Sequence, residues 1–282
     1  MSYRDQALRR ARRHRARRAD ARRGPHSAAV DAMGRVHYSG VRAVGFLVYL
    51  LLVGLNLSAV GFLFRKLGSL VGLCAAPTHT EFIERLMSCI RPVIGARGVA
   101  PRPVDEDGKL RGCVVLCNHV NWSDFVLDIA FVPDGVYVSR NVLKLVFFPG
   151  SLIRSWLFGD MIYFSRGKKD AKRPLYDAVA AKCAEGRSVI VYAEGTRNPT
   201  GEKMPLRVGL IKLAYDRGIP LYVSMVSNKY AIVDEKAFKV TLGETIENKM
   251  SKLVRPEDFA DLQAFLAAAQ AEWDAVWDAL RK

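Results

Sequence analysis

His119 and Asp124 stand five positions apart in Asn118-His119-Val120-Asn121-Trp122-Ser123-Asp124, directly after the apolar run Cys113 to Cys117. A second apolar run, Ser188 to Ala193, ends in Glu194-Gly195-Thr196-Arg197. An imidazole steered by a carboxylate can serve as a general base, and a guanidinium offers a planar fork to an anion. The two motifs together suggest a site that deprotonates a hydroxyl beside a bound anion.

The chemistry can be made more specific. A free imidazole titrates near ~6.5, so roughly three quarters of it is neutral at pH 7. An alcohol is far less acidic, so His119 must take the proton as the hydroxyl attacks, a role that contributes ~10²- to 10⁴-fold. Asp124 would fix the tautomer and stabilise the imidazolium. A structural role for Asp124 is compatible with this: Asn121 as N-cap and Asp124 in the first turn would stabilise the following helix by about 1 kcal/mol. Asp128, one turn further on, is the second-ranked partner for His119. The chain holds no G-x-S-x-G elbow, and Ser123 has no strand-to-helix turn of its own. The acceptor's own hydroxyl is therefore expected to be the nucleophile.

In the second motif Gly195 lets the backbone approach a ligand, Thr196 offers a hydroxyl, and Arg197 offers its guanidinium. A surface ion pair with Glu194 is the plainer role for Arg197. Arg166, after the run Met161 to Phe164, could bring a second positive charge to the same cleft. His14, His26, His37, His79 and His119 show no ligand spacing, so no metal is expected, and there is no Walker A loop.

Alternating elements would position these groups. Strand-like runs fall at Val114 to Cys117, Val136 to Ser139, Met161 to Phe164, Val189 to Ala193, Leu221 to Val226 and Phe238 to Leu242. Helical stretches lie between them at Asp124 to Phe131, Asp170 to Ala184 and Arg207 to Arg217. The pattern predicts an α/β fold with a layered, mostly parallel central sheet flanked by helices. Ligands gather at the carboxyl ends of such strands, where both motifs sit.

Residues 251–282 are expected to form a C-terminal amphipathic helix, with Phe259, Leu262, Leu266, Trp273, Trp277 and Leu280 on its packing face. Residues 97–250, which hold both motifs, are expected to form the catalytic α/β domain.

The chain of 282 residues carries a formal charge of +15. Residues 1 to 42 hold 12 Arg and 3 Asp, so +9 lies there and +6 on the rest. Residues 1–40, with few large apolar side chains and no period, read as a basic disordered arm that leans on anionic lipid. Nucleic acid is not the expected partner, because no zinc spacing or RNA-binding signature accompanies the arm.

Ala43 to Phe64 follows, 22 residues without a charge. As a helix it would be roughly 33 Å long, enough to cross a bilayer core. Lys and Arg are balanced on its two sides, and Gly54, Asn56, Ser58 and Gly61 weaken its second half, so a leaflet-embedded helix is as good a reading as a transmembrane helix. Thr78 and Glu81 form a capping-box pattern ahead of a second helix, giving membrane-associated helices over 41–96. Five cysteines, odd in number and without a C-x-x-C pair, point to a reducing compartment rather than a disulfide framework, with Cys113 and Cys117 as small core residues.

Four ordered blocks, His119-x-x-x-x-Asp124, Gly159 to Arg166, Glu194 to Arg197 and Gly218-Ile219-Pro220-Leu221, resemble those of the glycerolipid acyltransferase family, which includes lysophosphatidate and other lysophospholipid acyltransferases. The likeness covers residues 110 to 230, and its first and third blocks are the specific ones. The resemblance implies transfer of a fatty acyl group from acyl-CoA, a co-substrate rather than a cofactor, to a free hydroxyl of a lysophospholipid or glycerol phosphate. It implies His119 as base, Asp124 as its partner, and Arg166, Glu194, Gly195, Thr196 and Arg197 around the acceptor phosphate.

It also implies helices embedded in one face of the bilayer. Acyl-CoA is cytosolic, so the site is expected to face the cytosol from the endoplasmic reticulum membrane. The chain departs from many relatives at Arg207-Val208-Gly209 and at Ser165. Pro205-Leu206-Arg207 and Ser227-Asn228-Lys229 look closer to the lysophosphatidylinositol type, which leaves lysophosphatidate and lysophosphatidylinositol-like acceptors both open. Two further readings use the same residues: a CoA-independent phospholipid–lysophospholipid transacylase, and a non-catalytic lipid-binding membrane adaptor.

Overall fold

Two runs buried at every position, Val114–Cys117 and Leu221–Val226, lie side by side in parallel. A strand covered on both faces must be apolar throughout rather than alternately, which is how these runs read. The computed structural model describes residues 28–30, 32, 35–90, 95–97, 112–132, 134–146, 149–165, 172–198 and 202–281. Its strands are β1 (Ala28–Val30), β2 (Val36–Ser39), β3 (Gly95–Arg97), β4 (Val114–Cys117), β5 (Val136–Arg140), β6 (Met161–Phe164), β7 (Val189–Val191), β8 (Leu221–Val226), β9 (Val233–Asp234), β10 (Lys239–Leu242) and β11 (Thr245–Met250). Its helices are α1 (Val41–Leu70), α2 (His79–Ile90), α3 (Asp124–Leu127), α4 (Leu143–Val146), α5 (Gly150–Phe158), α6 (Lys172–Ala184), α7 (Val208–Asp216), α8 (Lys229–Ile232) and α9 (Leu262–Ala279).

The main sheet has seven strands in the order β3-β11-β8-β4-β7-β5-β6. Strands β8, β4, β7, β5 and β6 run parallel, as the alternating pattern predicts. The unforeseen member is β11, antiparallel to β8 and parallel to β3. Phe238 to Leu242, expected in the main sheet, instead supplies β10 to a second, four-stranded sheet of order β1-β2-β10-β9.

That second sheet corrects the reading of residues 1–40 as disordered throughout. β1 and β2 pair antiparallel, and β2 pairs with β10. Arg35 Nη1 reaches Glu244 Oε2 at 2.9 Å, and His37 Nδ1 lies 3.1 Å from Thr241 Oγ1. These partners lie two hundred residues away, so nothing local in the basic stretch announced them. The expected boundary at 97 moves for a similar reason, because β3 joins the sheet from Gly95.

The C-terminal segment is part of the same core. Phe265, Ala269 and Trp273 of α9 are fully buried and share one apolar cluster with Val114, Val223 and Leu213. Asp261 caps this helix by accepting from the Ala264 N–H at 2.8 Å.

The charge-free run of Ala43 to Phe64 does form a helix, and α1 extends it to 30 residues. It is docked on the domain at both ends. Val44 packs with Leu127, Phe131 and Val226, while Phe62 packs edge-on against Phe82 and Phe158. Between them, Asn56 Oδ1 accepts from the Gly150 N–H at 2.5 Å, where any Cβ on residue 150 would collide with the amide. Among the described residues no helix is long and apolar enough to cross a membrane, so the expectation of a transmembrane helix finds no support here. The capping box at Thr78 is present: its hydroxyl accepts from the Glu81 N–H at 3.2 Å, and Glu81 accepts from the Thr78 N–H at 3.0 Å.

Candidate active site

At the end of β4 the chain leaves the sheet as Asn118-His119, and the imidazole Nδ1 meets Asp124 Oδ2 at 2.7 Å. The same oxygen accepts the Val120 N–H at 2.6 Å and the Asn121 N–H at 3.2 Å. Asp124 is buried, while a quarter of the His119 side chain remains exposed. An oxygen to which two backbone N–H groups already donate is an acceptor toward the imidazole as well, so Nδ1 carries the proton and Nε2 is left as the basic nitrogen.

The loop is built to hold this geometry. Asn121 does not cap the helix as expected; Ser123 is the N-cap, and Asn121 folds a small turn instead. Asn121 Oδ1 accepts from both the N–H and the hydroxyl of Ser123, at 2.9 and 2.6 Å, and its amide donates to the Val233 and Lys229 carbonyls at 2.9 Å each. Ser123 is buried in that turn, so its hydroxyl has a structural partner and is no nucleophile.

Below the dyad lies a set of groups that short spacing did not reveal. Asp128 pairs with Lys229 rather than with His119, so the second-ranked partner is set aside. Burial pushes the Asp128 carboxyl up to about 6, against the pull of the Lys229 ammonium. Tyr192, at the end of β7, stacks its ring on the His119 imidazole with centroids 4.2 Å apart, and its hydroxyl donates to Asp128 Oδ2 at 2.9 Å. The one hint in the sequence was a lysine placed just after a strand without any charge.

The third motif divides between two roles. Glu194 is buried and faces the protein's own donors. Its Oε2 accepts the His119 N–H at 2.8 Å and its Oε1 accepts the Asn198 amide at 2.7 Å. The Asn198 N–H returns to the His119 carbonyl at 2.6 Å, so Glu194 braces the base's backbone rather than meeting an anion. Burial raises its carboxyl above the usual range. Gly195 adopts φ +72, and a Cβ there would come within 2.9 Å of Arg207 Cγ, so glycine lets the Arg207 side chain cross.

Thr196 is exposed. Arg197 is half exposed and pairs with Glu235 rather than Glu194, its Nη1 lying 2.7 and 2.6 Å from the two carboxylate oxygens. Glu235, just beyond β9, also accepts the Trp122 N–H at 2.7 Å, which ties Arg197 to the His119 loop. Arg166 lies outside the described residues.

A cleft of about 470 Å³ opens beside these groups, lined by Asn118, Val120, Glu194, Val226, Trp277 and Leu280 among others. Its walls mix apolar side chains with the polar Asn198, Ser227, Asn228, Lys229 and Arg281, and the neighbours of His119 in sequence, Asn118 and Val120, stand at one edge.

Known proteins share this arrangement of motifs. Residues 101–227 match the acyltransferase family model. Over these residues the chain resembles the glycerolipid acyltransferases. The 1-acyl-sn-glycerol-3-phosphate acyltransferase of Escherichia coli (strain K12) is 25% identical over 157 residues, which are 54% of this chain and 63% of the relative. The protein of the same name from Salmonella typhimurium is 24% identical over 153 residues, 54% of this chain and 61% of the relative. The chain thus spans less than two thirds of the length of these relatives. The crystal structure of the 1-acyl-sn-glycerophosphate (LPA) acyltransferase PlsC from Thermotoga maritima superposes with a TM-score of 0.55 at 19% identity, over 72% of this chain and 77% of the other, a likeness of fold. In the mixed α/β sheet described above both motifs follow strand ends, where such folds gather ligands.

Proposed function

We propose that the protein moves a fatty acyl group from acyl-CoA to a free hydroxyl of a lysophosphatidate-type lysophospholipid. The observation that carries this reading is the 2.7 Å contact between His119 Nδ1 and Asp124 Oδ2, made without any serine or cysteine nucleophile at the dyad. His119 Nε2 takes the proton of the acceptor hydroxyl as its oxygen attacks the thioester carbonyl. The tetrahedral adduct collapses with cleavage of the carbon–sulfur bond, and the thiolate leaves with the proton returned by the imidazolium.

Arg197 is the group offered to the acceptor phosphate. In the free protein it rests on Glu235, an exposed pair of the kind worth ~0–1 kcal/mol, so a phosphate carrying more charge than one carboxylate can take its place. The apolar side of the cleft, at Val226, Trp277 and Leu280, suits an alkyl chain.

The test is purified protein with palmitoyl-CoA, or the same acyl group on acyl-carrier protein, and a panel of lysophospholipids. Saturable transfer from CoA to lysophosphatidate is the expected result. Absence of transfer from either thioester to any lysophospholipid would overturn the reading.

The reading includes a membrane-bound protein whose helices lie in the interface. α1 is docked along one side, yet Tyr49, Leu57, Phe64 and Leu70 on it, with Leu145 on α4 and Trp156 on α5, present large apolar side chains outward. A helix that is apolar all round and covered on only one side is suited to an apolar phase on the other. The arginines of residues 1–42 favour an anionic surface, at about 1 kcal/mol per charge near it. The protein should float with vesicles containing anionic phospholipid. Leu57→Asp with Phe64→Asp should lower that partition by at least ~10-fold, since each removes a buried side chain worth ~1.5–3 kcal/mol. Unchanged flotation of the folded variant would count against this face.

A further inference from the structure

Lys229 is buried to its ammonium, a place lysine takes only when paired. Asn228, in the left-handed region at φ 54, turns the chain out of β8 and into the short helix that carries it. Its Nζ lies 2.7 Å from Asp128 Oδ1 and 3.6 Å from Asp124 Oδ1, and donates to the Asn118 carbonyl at 2.8 Å. Burial disfavours the charged form, but the two carboxylates outweigh it and raise the ammonium above its ordinary value.

The contacts close a circuit around the base. His119 Nδ1 donates to Asp124, whose other oxygen faces Lys229. Lys229 pairs with Asp128, Asp128 accepts from the Tyr192 hydroxyl, and the Tyr192 ring lies flat on the imidazole. The ammonium therefore reaches His119 along its edge through Asp124 and against its face through Tyr192. The other titratable groups around it are Glu194, which braces the His119 amide, and Cys117 and Tyr137, which burial keeps neutral by pushing both well above their ordinary values. Two carboxylates against one ammonium leave this cluster with a net negative charge, which favours the imidazolium that forms when His119 takes a proton.

We propose that Lys229 is a positioning residue for acyl transfer: its buried ammonium holds Asp124 with Oδ2 toward His119, and through Asp128 and Tyr192 it fixes the plane of the imidazole. This rests on the acyl-transfer reading of the site. A purely structural Lys229 would serve only to neutralise Asp128, and the two roles separate in a double variant. Lys229→Met alone strands two buried carboxylates and can fail to fold. Lys229→Met with Asp128→Asn removes one charge of each sign and keeps the volumes.

The double variant is expected to stay folded, with kcat lowered ~10- to 10²-fold by the misplaced base. KM for acyl-CoA and lysophosphatidate should change less than kcat, because Arg197 is untouched and Lys229 shows the cleft only a buried edge. The conservative Lys229→Arg with Asp128→Glu pair, which restores both charges, should recover more of kcat than the neutral pair does, a rescue that a purely charge-neutralising role would not need. A folded double variant with wild-type kcat overturns the proposal. Wild-type protein that transfers no acyl group at all would sink the acyl-transfer reading instead, so the two failures are distinguishable.

Discussion

Asp124→Asn is expected to lower kcat by ~10³- to 10⁴-fold while leaving KM nearly unchanged, the largest kinetic effect of a single-atom replacement in this protein. The asparagine cannot reproduce what one carboxylate oxygen does. If its oxygen takes the place of Oδ2, it keeps the Val120 and Asn121 N–H groups and the His119 contact, but its NH₂ then faces the Lys229 ammonium and no charge remains to stabilise the imidazolium. If the amide turns over, its NH₂ meets two backbone N–H groups and forces the proton to the other imidazole nitrogen, leaving no base toward the acceptor. Either arrangement disables the dyad without opening a cavity, so the variant should stay folded. His119→Ala should be equally slow, and the pair of changes no slower than His119→Ala alone, because the two side chains act as one unit. Steady-state rates of the three variants check this. An Asp124→Asn protein that keeps more than about a tenth of its activity would falsify general-base catalysis by this dyad.

What the sequence could reveal of this site was whatever is written locally. His119 and Asp124 are five residues apart, and the strand before them is apolar at each position, so the base, its partner and their place at a strand end could all be read directly. The capping box at Thr78 and Glu81 was legible for the same reason, spanning three positions. Lys229 lies 111 positions from Asn118, to whose carbonyl it donates. Glu235 lies 38 positions from Arg197, and Arg35 lies 209 from Glu244.

No periodicity connects such partners, because they are brought together by the order of strands and not by a pattern along one element. The same reason explains Glu194. Its type and its neighbour Arg197 suggested one anion-holding group, but the turn after β7 sends Glu194 inward to the His119 backbone and Arg197 outward to Glu235. Strand β11 was lost to a different cause: its residues Thr245–Met250 alternate in burial and carry charge, which is how an antiparallel strand toward a sheet edge reads and how a loop also reads.

Asp160→Asn should destabilise the fold by ~3–5 kcal/mol at neutral pH, because it leaves a nearly buried guanidinium without its counter-charge. Asp160 is fully buried between α5 and β6, where Gly159 at φ 58 turns the chain from helix to strand. Its Oδ2 pairs with the Arg154 guanidinium and lies 3.6 Å from His79 Nε2, so one carboxylate ties α2, α5 and β6 together beneath Phe82 and Phe158.

Burial alone would raise this carboxyl, but Arg154 and His79 outweigh it and hold it at about 2, against an ordinary 3.8. A carboxyl whose folded value lies below its unfolded value stabilises the fold above the unfolded value and loses that contribution as pH falls through the folded one. The contribution is about 2.5 kcal/mol, full above pH ~5 and lost as pH falls through about 2. The Asp160→Asn protein has no such group. Denaturant unfolding of the two proteins should therefore differ by a constant amount from pH 7 to about 5, and the gap should narrow by about 2.5 kcal/mol as pH falls toward 2. A gap that stays constant down to pH 2 would show that the Arg154 pair does not hold the carboxylate ionised.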